Sequence, residues 1–364
     1  MRTVLILRPG ALGDAVLTLP LVEALLERGA ERILVLGTPA SWRFLREPSP
    51  PLQVLDAGGR DWLALFGEGV ALAARARVLL AEVDAALVLL GRGRAEIERA
   101  LGAAGVRRVA GGFPAALAEE GVEVGPWARG KPVLAPWPPG HAHAAQRLLA
   151  PLAALPGVGA ADWPQALRPL AGHPLLGPSR AEIEEALHHA ALTAPPEEGI
   201  LALHPGSGGV VKCWPAERFA RLAMAAAAEW RTTPVFLIGP ADREAWATIR
   251  SGLPPALAAH ALVERPLREV LALLSLARAY VGNDSGISHL AALASPTLAL
   301  FGPSDPLVWH PLGRRVVVLR AEGGAISRLG LEDVLDSLGR LLVLGAVGLN
   351  PSAAGARSPT AERR

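Results

Sequence analysis

Short apolar runs alternate with amphipathic stretches along the first half of the chain. The runs are rich in Val, Ile and Leu, as buried strands are: RTVLILR from Arg2, ERILVLG from Glu31, LQVLDA from Leu52 and AALVLLG from Ala85. Between them, GDAVLTLPLVEALLERG and EGVALAARARVLLAEV place apolar residues at i, i+3 and i+4, which is the spacing of a helix with a buried face. Strands separated by helices predict βαβ units and a parallel sheet.

The second half of the chain repeats this alternation. Its predicted strands are ILALHPG, TPVFLIG, AYVGND and TLALFGP, and its predicted helices are ERFARLAMAAAAEW, REAWATIRSG, LREVLALLSLA and SGISHLAALA. We therefore predict an α/β fold of two doubly wound, Rossmann-like domains that face a central cleft. Ligands of open α/β sheets bind at the carboxyl ends of the strands, so the cleft is the expected site.

The domain boundary is expected near the Pro-Pro pair at Pro195. Before it, residues 121–177 are rich in Pro, Gly and Trp around one predicted helix, HAHAAQRLLAPLAAL, and SRAEIEEALHHAAL forms a second helix. The prediction is an N-terminal domain over residues 1–190 and a C-terminal domain over residues 195–344. Residues 345–364 are rich in Ala, Ser, Pro and Arg, so they are predicted to be a disordered tail.

Composition excludes several classes of protein. The chain has 364 residues and is 51% hydrophobic, yet its apolar runs are too short to predict a membrane-spanning helix, and MRTVLILRPG resembles a first strand more than a signal peptide. The single Cys213 excludes an internal disulfide and a Cys-rich metal site, which fits a reducing cytoplasm. The net charge is +2 with scattered basic residues, which argues against nucleic acid as a partner.

The stretch VGNDSGISHLAALASPTLALFGPSDP, from Val281, places a polar turn where a strand meets a helix. The helix beginning at Ser285-Gly286 would direct unpaired N–H groups out of the sheet edge, and Gly286 lets a ligand approach the backbone. This pattern predicts an anion site suited to a diphosphate. The alternative is that Asp284 or Ser285 only caps the helix.

A glycine-rich loop follows another strand in HPGSGGVVKCWP, from His204. A helix N-terminus offers roughly half a positive charge, which is too little for a nucleotide diphosphate with about two negative charges. Gly206, Ser207, Gly208 and the following Lys212 would supply backbone N–H groups and the missing cation. The alternative is that Lys212 is a solvated surface residue.

The third motif is LRPGALGDAVLTLP, from Leu7. Its turn brings Asp14 to the start of a helix that faces the cleft from the other domain. The alternative is that Asp14 only caps this helix. The loop lacks the G-x-G-x-x-G pattern, so a nicotinamide-dependent oxidoreductase is disfavoured.

Together the three motifs resemble the heptosyltransferase family, glycosyltransferase family 9, which transfers heptose from ADP-heptose in lipopolysaccharide core synthesis. The resemblance covers roughly residues 1–340. It implies a GT-B fold, with an acceptor-binding N-terminal domain and a nucleotide-sugar-binding C-terminal domain, and an inverting reaction without a metal. The segment GRGRAE after AALVLL departs from the family pattern on the acceptor side, so the donor motifs carry the assignment.

The resemblance also implies roles for single residues. Asp14 would be the general base, Lys212 would contact donor phosphate and sugar, and Asp284 would bind sugar hydroxyls. His289 would line the phosphate site, with a buried structural histidine as the alternative. The diphosphate would be bound by Gly206, Ser207, Gly208, Ser285 and Gly286. On the acceptor side we place Gly13, His141 and His143.

The expected partners are an ADP-linked nucleotide sugar and a glycan or glycolipid acceptor of the cell envelope. No metal ligand set with typical spacing occurs, and no cofactor beyond the co-substrate is expected. We expect a cytoplasmic protein with peripheral contact to the inner membrane face through a basic surface formed by Arg43, Arg46, Arg92 and Arg94. The alternatives are a GT-B enzyme with a different nucleotide sugar and a non-catalytic nucleotide-sugar-binding protein.

Overall fold

The computed structural model describes residues 2–46, 51–67, 72–112, 133–134, 143–154 and 175–346. The first sheet has five parallel strands in the order β3-β2-β1-β4-β5. They are β1 (Thr3–Arg8), β2 (Arg32–Gly37), β3 (Leu52–Asp56), β4 (Ala85–Val88) and β5 (Val109–Gly111). The helices of this half are α1 (Leu12–Glu27), α2 (Ala74–Ala81), α3 (Arg94–Ala103) and α4 (Ala144–Leu149).

The second sheet has seven strands in the order β6-β12-β11-β10-β7-β8-β9. They are β6 (Val133–Leu134), β7 (Ile200–His204), β8 (Thr233–Ile238), β9 (Ala261–Val263), β10 (Ala277–Asn283), β11 (Thr297–Phe301) and β12 (Val316–Arg320). Its helices are α5 (Arg180–His189), α6 (Ala216–Trp230), α7 (Arg243–Ser251), α8 (Pro255–Ala258), α9 (Leu267–Leu276), α10 (Gly286–Ala294), α11 (Pro306–Trp309) and α12 (Leu331–Ala346). Only β6 is antiparallel, and it lies at the edge beside β12.

Both sheets are doubly wound, which confirms the predicted α/β fold. In each sheet the chain starts at a central strand, β1 or β7, winds outward to one edge and then returns to the other side through β4 or β10. The direction of winding therefore changes between β1 and β4 and between β7 and β10. Ligands of such folds bind outside the carboxyl ends of the strands at these switch points. The three sequence motifs follow β1, β7 and β10.

Helix α1 is the element through which the two halves meet. All its residues from 15 to 25 are buried, including Pro20 and Glu23. A helix that is apolar on every side is buried on every side, and α1 contacts α4 of its own half and α10 of the second half. The first turn of α1 is thereby held against the first turn of α10.

A second contact between the halves is centred on Arg268 in α9. Its guanidinium binds both carboxylate oxygens of Glu182 in α5, each at 2.7 Å. The same group donates to the carbonyls of Phe44 at 3.1 Å, Leu176 at 2.8 Å and Gly177 at 3.2 Å. Arg268 therefore joins the segment at Phe44 and the segment at Leu176 to helices α5 and α9 of the second half.

The sequence boundaries of the domains remain a prediction. Two segments that precede the proposed junction pack with the second half, because β6 pairs with β12 and α5 contacts α9. Helix α12 runs to Ala346, so Gly345 and Ala346 are helical rather than part of a disordered tail. The rest of that predicted tail lies outside the described residues. Among the helices described, none has the length and apolar character needed to cross a membrane.

Candidate active site

The motifs after β1 and β10 touch through two glycines. A methyl group on Gly286 would lie 2.8 Å from Leu12 Cβ and 3.0 Å from the backbone nitrogen of Gly13. These distances are too short for a real side chain, so glycine at 286 permits the contact. Gly286 and Ile287 occupy the first turn of α10, where an α-helix has no internal acceptor for its N–H groups. The proposed anion site therefore lies where the two halves meet.

Lys212 is paired with Asp284 in the structure. Its Nζ donates to Asp284 Oδ2 at 2.7 Å, and Ser207 Oγ donates to the Asp284 carbonyl at 2.6 Å. The side chain of Lys212 is 37% exposed and that of Asp284 is 9% exposed. The structure thus brings together the predicted cation, the predicted sugar-binding acid and the glycine-rich loop, and it leaves the cation accessible.

Asn283 ties these two loops together and was not predicted from the sequence. Its fully buried side chain accepts from the backbone N–H of Trp214 at 3.0 Å and donates to the carbonyl of Pro205 at 2.7 Å. The loop that carries Lys212 is therefore fixed at both ends to β10. A buried amide with a fixed network orients neighbouring groups, and the signal in the sequence was a polar residue closing an apolar strand.

Ser285 caps α10, as the alternative interpretation proposed. Its Oγ accepts from the backbone N–H of Ser288 at 3.3 Å. Ser288 is itself buried and bonds to Tyr280 Oη at 3.0 Å and to the carbonyl of Asn283. This capping leaves the N–H groups of the first two positions to a ligand, so the capping role and the predicted role in binding are compatible.

The glycines of the HPGSGG loop differ in their surroundings. A methyl group on Gly206 would lie 2.0 Å from Asp242 Oδ1, whereas one on Gly208 would meet nothing within 4 Å. Asp242 is buried and accepts from the N–H of Gly239 at 2.8 Å. Gly206 is therefore required by packing over Asp242, whereas Gly208 and Gly209 lie in open space.

Asp14 both caps α1 and pairs with a buried arginine. Arg8 Nη2 donates to Asp14 Oδ1 at 2.6 Å, and the backbone N–H of Ala11 donates to Oδ2 at 3.0 Å. The Arg8 side chain is 3% exposed and that of Asp14 is 32% exposed. Burial lowers the pKa of Arg8 and Asp14 raises it, and an arginine remains charged in proteins. Asp14 is thus a carboxylate held by two donors with one side open.

Arg8 is a site residue that the sequence analysis missed. It is the last residue of β1, a strand in which all six residues are buried. The available signal was a charged residue at the carboxyl end of a buried strand, directly before the glycine turn. Such a residue is rarely buried without a partner, and here its partner is Asp14.

His289 lies behind this site, one turn into α10. It is 5% exposed, and its Nδ1 has no hydrogen-bond partner among the described residues. A methyl group on Gly13 would lie 3.2 Å from His289 Cδ2, so the ring is covered by the first turn of α1. Burial lowers the pKa of His289 to about 4, so the ring is neutral at pH 7.

His143 is not available as a base or acceptor-side ligand, contrary to its predicted role. It is the N-cap of α4, where Nδ1 accepts from the N–H of Ala145 at 3.3 Å and Nε2 donates to the carbonyl of His310 at 2.9 Å. Burial holds the pKa of His143 well below its ordinary value. Both ring nitrogens are engaged in fixing α4 to the second half. His141 lies outside the described residues.

The part of the chain that the structure describes contains one group of side chains that could ligate a metal. One cluster of three side chains, Glu185, His189 and Glu269, has ligand atoms close enough to hold an ion. It does not include any predicted site residue, and Arg265 occupies it by donating to both oxygens of Glu269 at 3.0 and 3.1 Å. This cluster is an ion-pair network on α5 and α9.

Part of the chain is similar in sequence to known proteins. Residues 161–337 match the family described as Glycosyltransferase family 9 (heptosyltransferase). The chain is 34% identical over 155 residues to lipopolysaccharide heptosyltransferase 2 of Salmonella typhimurium, a match that covers 40% of this chain and 44% of that protein. The chain thus spans less than half the length of the curated relatives it matches.

Solved structures of similar fold cover nearly the whole chain. The ADP-heptose lps heptosyltransferase II of E. coli superposes with a TM-score of 0.66 and 23% identity, over 95% of this chain and 100% of that one. The E. coli heptosyltransferase WaaC with ADP superposes with a TM-score of 0.60 and 19% identity, over 93% and 99% of the two chains. These likenesses establish the GT-B fold. Residues 161–337 of this chain are thus similar to glycosyltransferase family 9, the heptosyltransferases.

Proposed function

We propose that this protein is an inverting, metal-independent glycosyltransferase that moves heptose from ADP-heptose to a cell-envelope glycan or glycolipid. The observation that carries the proposal is the accessible Lys212–Asp284 pair at the first turn of α10, close to Asp14 of the other half. The family match and the names of the relatives, which are heptosyltransferases with ADP or ADP-heptose, support the donor.

The donor diphosphate would bind at the N-terminus of α10. The helix contributes roughly half a positive charge, and Lys212 adds a full one. Lys212 would turn from Asp284 toward the phosphates, over a distance that a four-carbon side chain spans easily. Ser207, Gly208, Ser285 and Gly286 would offer hydroxyl and backbone donors to the phosphate oxygens. Asp284, released from Lys212, would accept hydrogen bonds from hydroxyls of the donor sugar.

Asp14 would act as the proton acceptor. The acceptor hydroxyl would attack the anomeric carbon on the face opposite the diphosphate, forming the new C–O bond while the bond to the diphosphate oxygen breaks. The hydroxyl proton would pass to Asp14, and the bonding electron pair would leave with ADP. Attack on the opposite face inverts the configuration. Arg8 and the N–H of Ala11 would orient the carboxylate, since each occupies one of its oxygens.

The leaving diphosphate would be stabilised by Lys212 and the helix N-terminus rather than by a metal. Preorganised donors at a developing charge are a major source of rate enhancement. The test is transfer measured after EDTA treatment, and then after addition of Mg²⁺ or Fe²⁺. Unchanged transfer supports metal independence, and transfer that requires either ion contradicts it.

The acceptor side would face the membrane through basic residues. Arg43, Arg46, Arg92 and Arg94 are all exposed. Arg94 pairs with Glu98 at 3.3 Å, and Arg46 donates to the carbonyl of Gly177 at 2.6 Å. The pair with Glu98 therefore reduces the positive charge of this surface. Flotation with anionic liposomes at low salt tests the peripheral contact, and a protein that stays unbound there rules it out.

The donor is tested by thermal unfolding with ADP, GDP, UDP and NAD. A ligand that binds the folded state raises the melting temperature by mass action. We expect ADP and ADP-heptose to stabilise the protein most. Preferential stabilisation by UDP or GDP would favour a GT-B enzyme with another donor, and stabilisation by NAD alone would contradict glycosyl transfer.

A further inference from the structure

His289 is sealed between the two halves of the protein. It projects from α10 and is 5% exposed. The Cδ2–Nε2 edge of the ring faces the first turn of α1, since a methyl group on Gly13 would lie 3.2 Å from Cδ2 and 3.6 Å from Nε2. The ring therefore lies directly behind the point where both switch-point loops meet.

The ring lacks a partner that a buried imidazole normally has. Its Nδ1 is shielded from solvent and makes no hydrogen bond within the described part of the chain. Most buried polar atoms in proteins are paired, and an exception calls for an explanation. At the N-terminus of a helix that carries the proposed phosphate site, the missing partner is best supplied by the ligand.

Several titratable groups near His289 act on its charge. Asp284 at the end of β10 and Asp14 in α1 favour the protonated ring, and Lys212 in the glycine-rich loop opposes it. His143 before α4 and His310 after α11 are close enough for their pKa values to be lowered by His289, and both are buried. Burial outweighs the two acids, so the pKa of His289 is about 4 without a ligand.

We propose that His289 takes up a proton when the donor diphosphate binds at α10 and then donates a hydrogen bond to it. This inference rests on the proposed function and adds a proton to the donor-bound state. The proton comes from solvent on binding and returns to solvent when the nucleotide leaves, so no bond is made or broken by the uptake itself.

The electrostatic effect is large enough for this change. A unit negative charge about 4 Å from the ring, at an effective dielectric of about 20, raises a pKa by about three. A diphosphate ester carries two such charges. When the diphosphate binds, the pKa of His289 rises from about 4 into the neutral range. Between the pKa values of the free and bound states, donor affinity should fall about tenfold for each pH unit.

The experiment is calorimetric titration of ADP-heptose, without acceptor, in two buffers with different heats of ionisation. The diphosphate of ADP-heptose is esterified at both ends and does not titrate near neutral pH, so any linked proton belongs to the protein. The dependence of the binding heat on the buffer gives the number of protons taken up. The proteins are the native chain, His289→Asn and, as a matched control, His188→Asn, since His188 is exposed on α5.

We expect the native protein and His188→Asn to take up close to one proton more than His289→Asn. Equal proton uptake in native protein and His289→Asn, with binding retained, overturns this inference and leaves the donor site intact. If the native protein binds neither ADP-heptose nor ADP, the inference and the proposed function are both overturned. If His289→Asn does not fold, the native protein decides alone: an affinity independent of pH between about 5 and 7 contradicts the uptake.

Discussion

The carboxylate of Asp14 is held by two donors, with Arg8 Nη2 at 2.6 Å from Oδ1 and the N–H of Ala11 at 3.0 Å from Oδ2. From the sequence alone, asparagine at 14 would cap the helix as well as aspartate does. The structure changes that expectation, because an amide has one acceptor oxygen and cannot satisfy both donors.

Asp14→Asn should therefore have two effects of different size. Loss of one hydrogen bond and of the charge opposite the buried Arg8 lowers the free energy of unfolding by about 1–4 kcal/mol. Loss of the proton acceptor lowers turnover by a factor on the order of 10² to 10⁴, while ADP affinity changes little. The measurements are denaturant unfolding, ADP titration and sugar transfer on one preparation.

Asp84→Asn is the matched control for this change. Asp84 accepts from the backbone N–H groups of Arg2 at 2.6 Å and Thr3 at 3.0 Å, at the opposite end of β1. This variant should also lose a backbone hydrogen bond, with a smaller loss of stability because no buried arginine loses its counter-charge, and it should keep its turnover. Equal turnover in the two variants would show that Asp14 is only a capping residue.

Lys212→Ala should weaken ADP binding by about 1.5–3 kcal/mol, the range for a charge-assisted hydrogen bond. The physical reason is that the helix N-terminus alone supplies too little positive charge for a diphosphate. Calorimetry measures the affinity, with Arg180→Ala as the control because Arg180 is 92% exposed and lies on α5. Equal ADP affinity in native protein and Lys212→Ala would remove Lys212 from the site.

Gly206→Ala and Gly208→Ala compare a tightly packed glycine with a glycine in open space within one loop. The added methyl at 206 would lie 2.0 Å from Asp242 Oδ1, and the one at 208 meets nothing within 4 Å. We expect Gly206→Ala to lower the free energy of unfolding by about 1–3 kcal/mol and Gly208→Ala to change it by less than about 0.5 kcal/mol. Similar unfolding midpoints in denaturant would contradict the packing described here.

The ion pair between Glu182 and Arg268 should make stability depend on pH in the acid range. Hydrogen bonding from Arg268 lowers the pKa of Glu182 from 4.5 to about 2. A lowered carboxyl pKa stabilises the folded state above the unfolded value of 4.5 and loses that contribution as pH falls toward about 2.

Glu182→Gln removes the charge and keeps the capping geometry of α5, since glutamine also serves in a capping box. It should lower the free energy of unfolding at pH 7 by about 1–2 kcal/mol, a range reduced for partial exposure. The difference from native protein should shrink between pH 4.5 and about 2. A difference that stays constant over this interval would show that the charge does not stabilise the fold.

The alternation of apolar runs and helices predicted the fold because parallel strands are buried on both faces. Eight strands read from the sequence, from β1 to β11, are present in the structure. Four strands were not predicted: β12, a mostly apolar run of five residues that the sequence analysis missed, and β5, β6 and β9, which have only two or three residues each. Such short strands are defined by their pairing partners in the sheet and leave almost no periodicity in the sequence.

The sequence predicted those site residues whose position follows from the strand or helix directly beside them. Lys212, Asp284 and Ser285 follow strands and carry charge or a cap, so their places at the sheet edge could be inferred. Asn283 acts through a partner in another loop, which only the folded chain brings close, and Arg8 pairs with Asp14 across a glycine turn whose conformation the sequence does not specify. His143 failed as a candidate base for the same reason, since its partner His310 is 167 residues away.

The most direct test of the donor site is a crystal structure of the protein with ADP bound. The account predicts that the diphosphate lies within about 3.2 Å of Lys212 Nζ and of the N–H groups of Ser285 or Gly286. It also predicts that the 2.7 Å contact between Lys212 and Asp284 is broken. A nucleotide bound elsewhere, or a diphosphate that leaves this ion pair in place, would contradict the account.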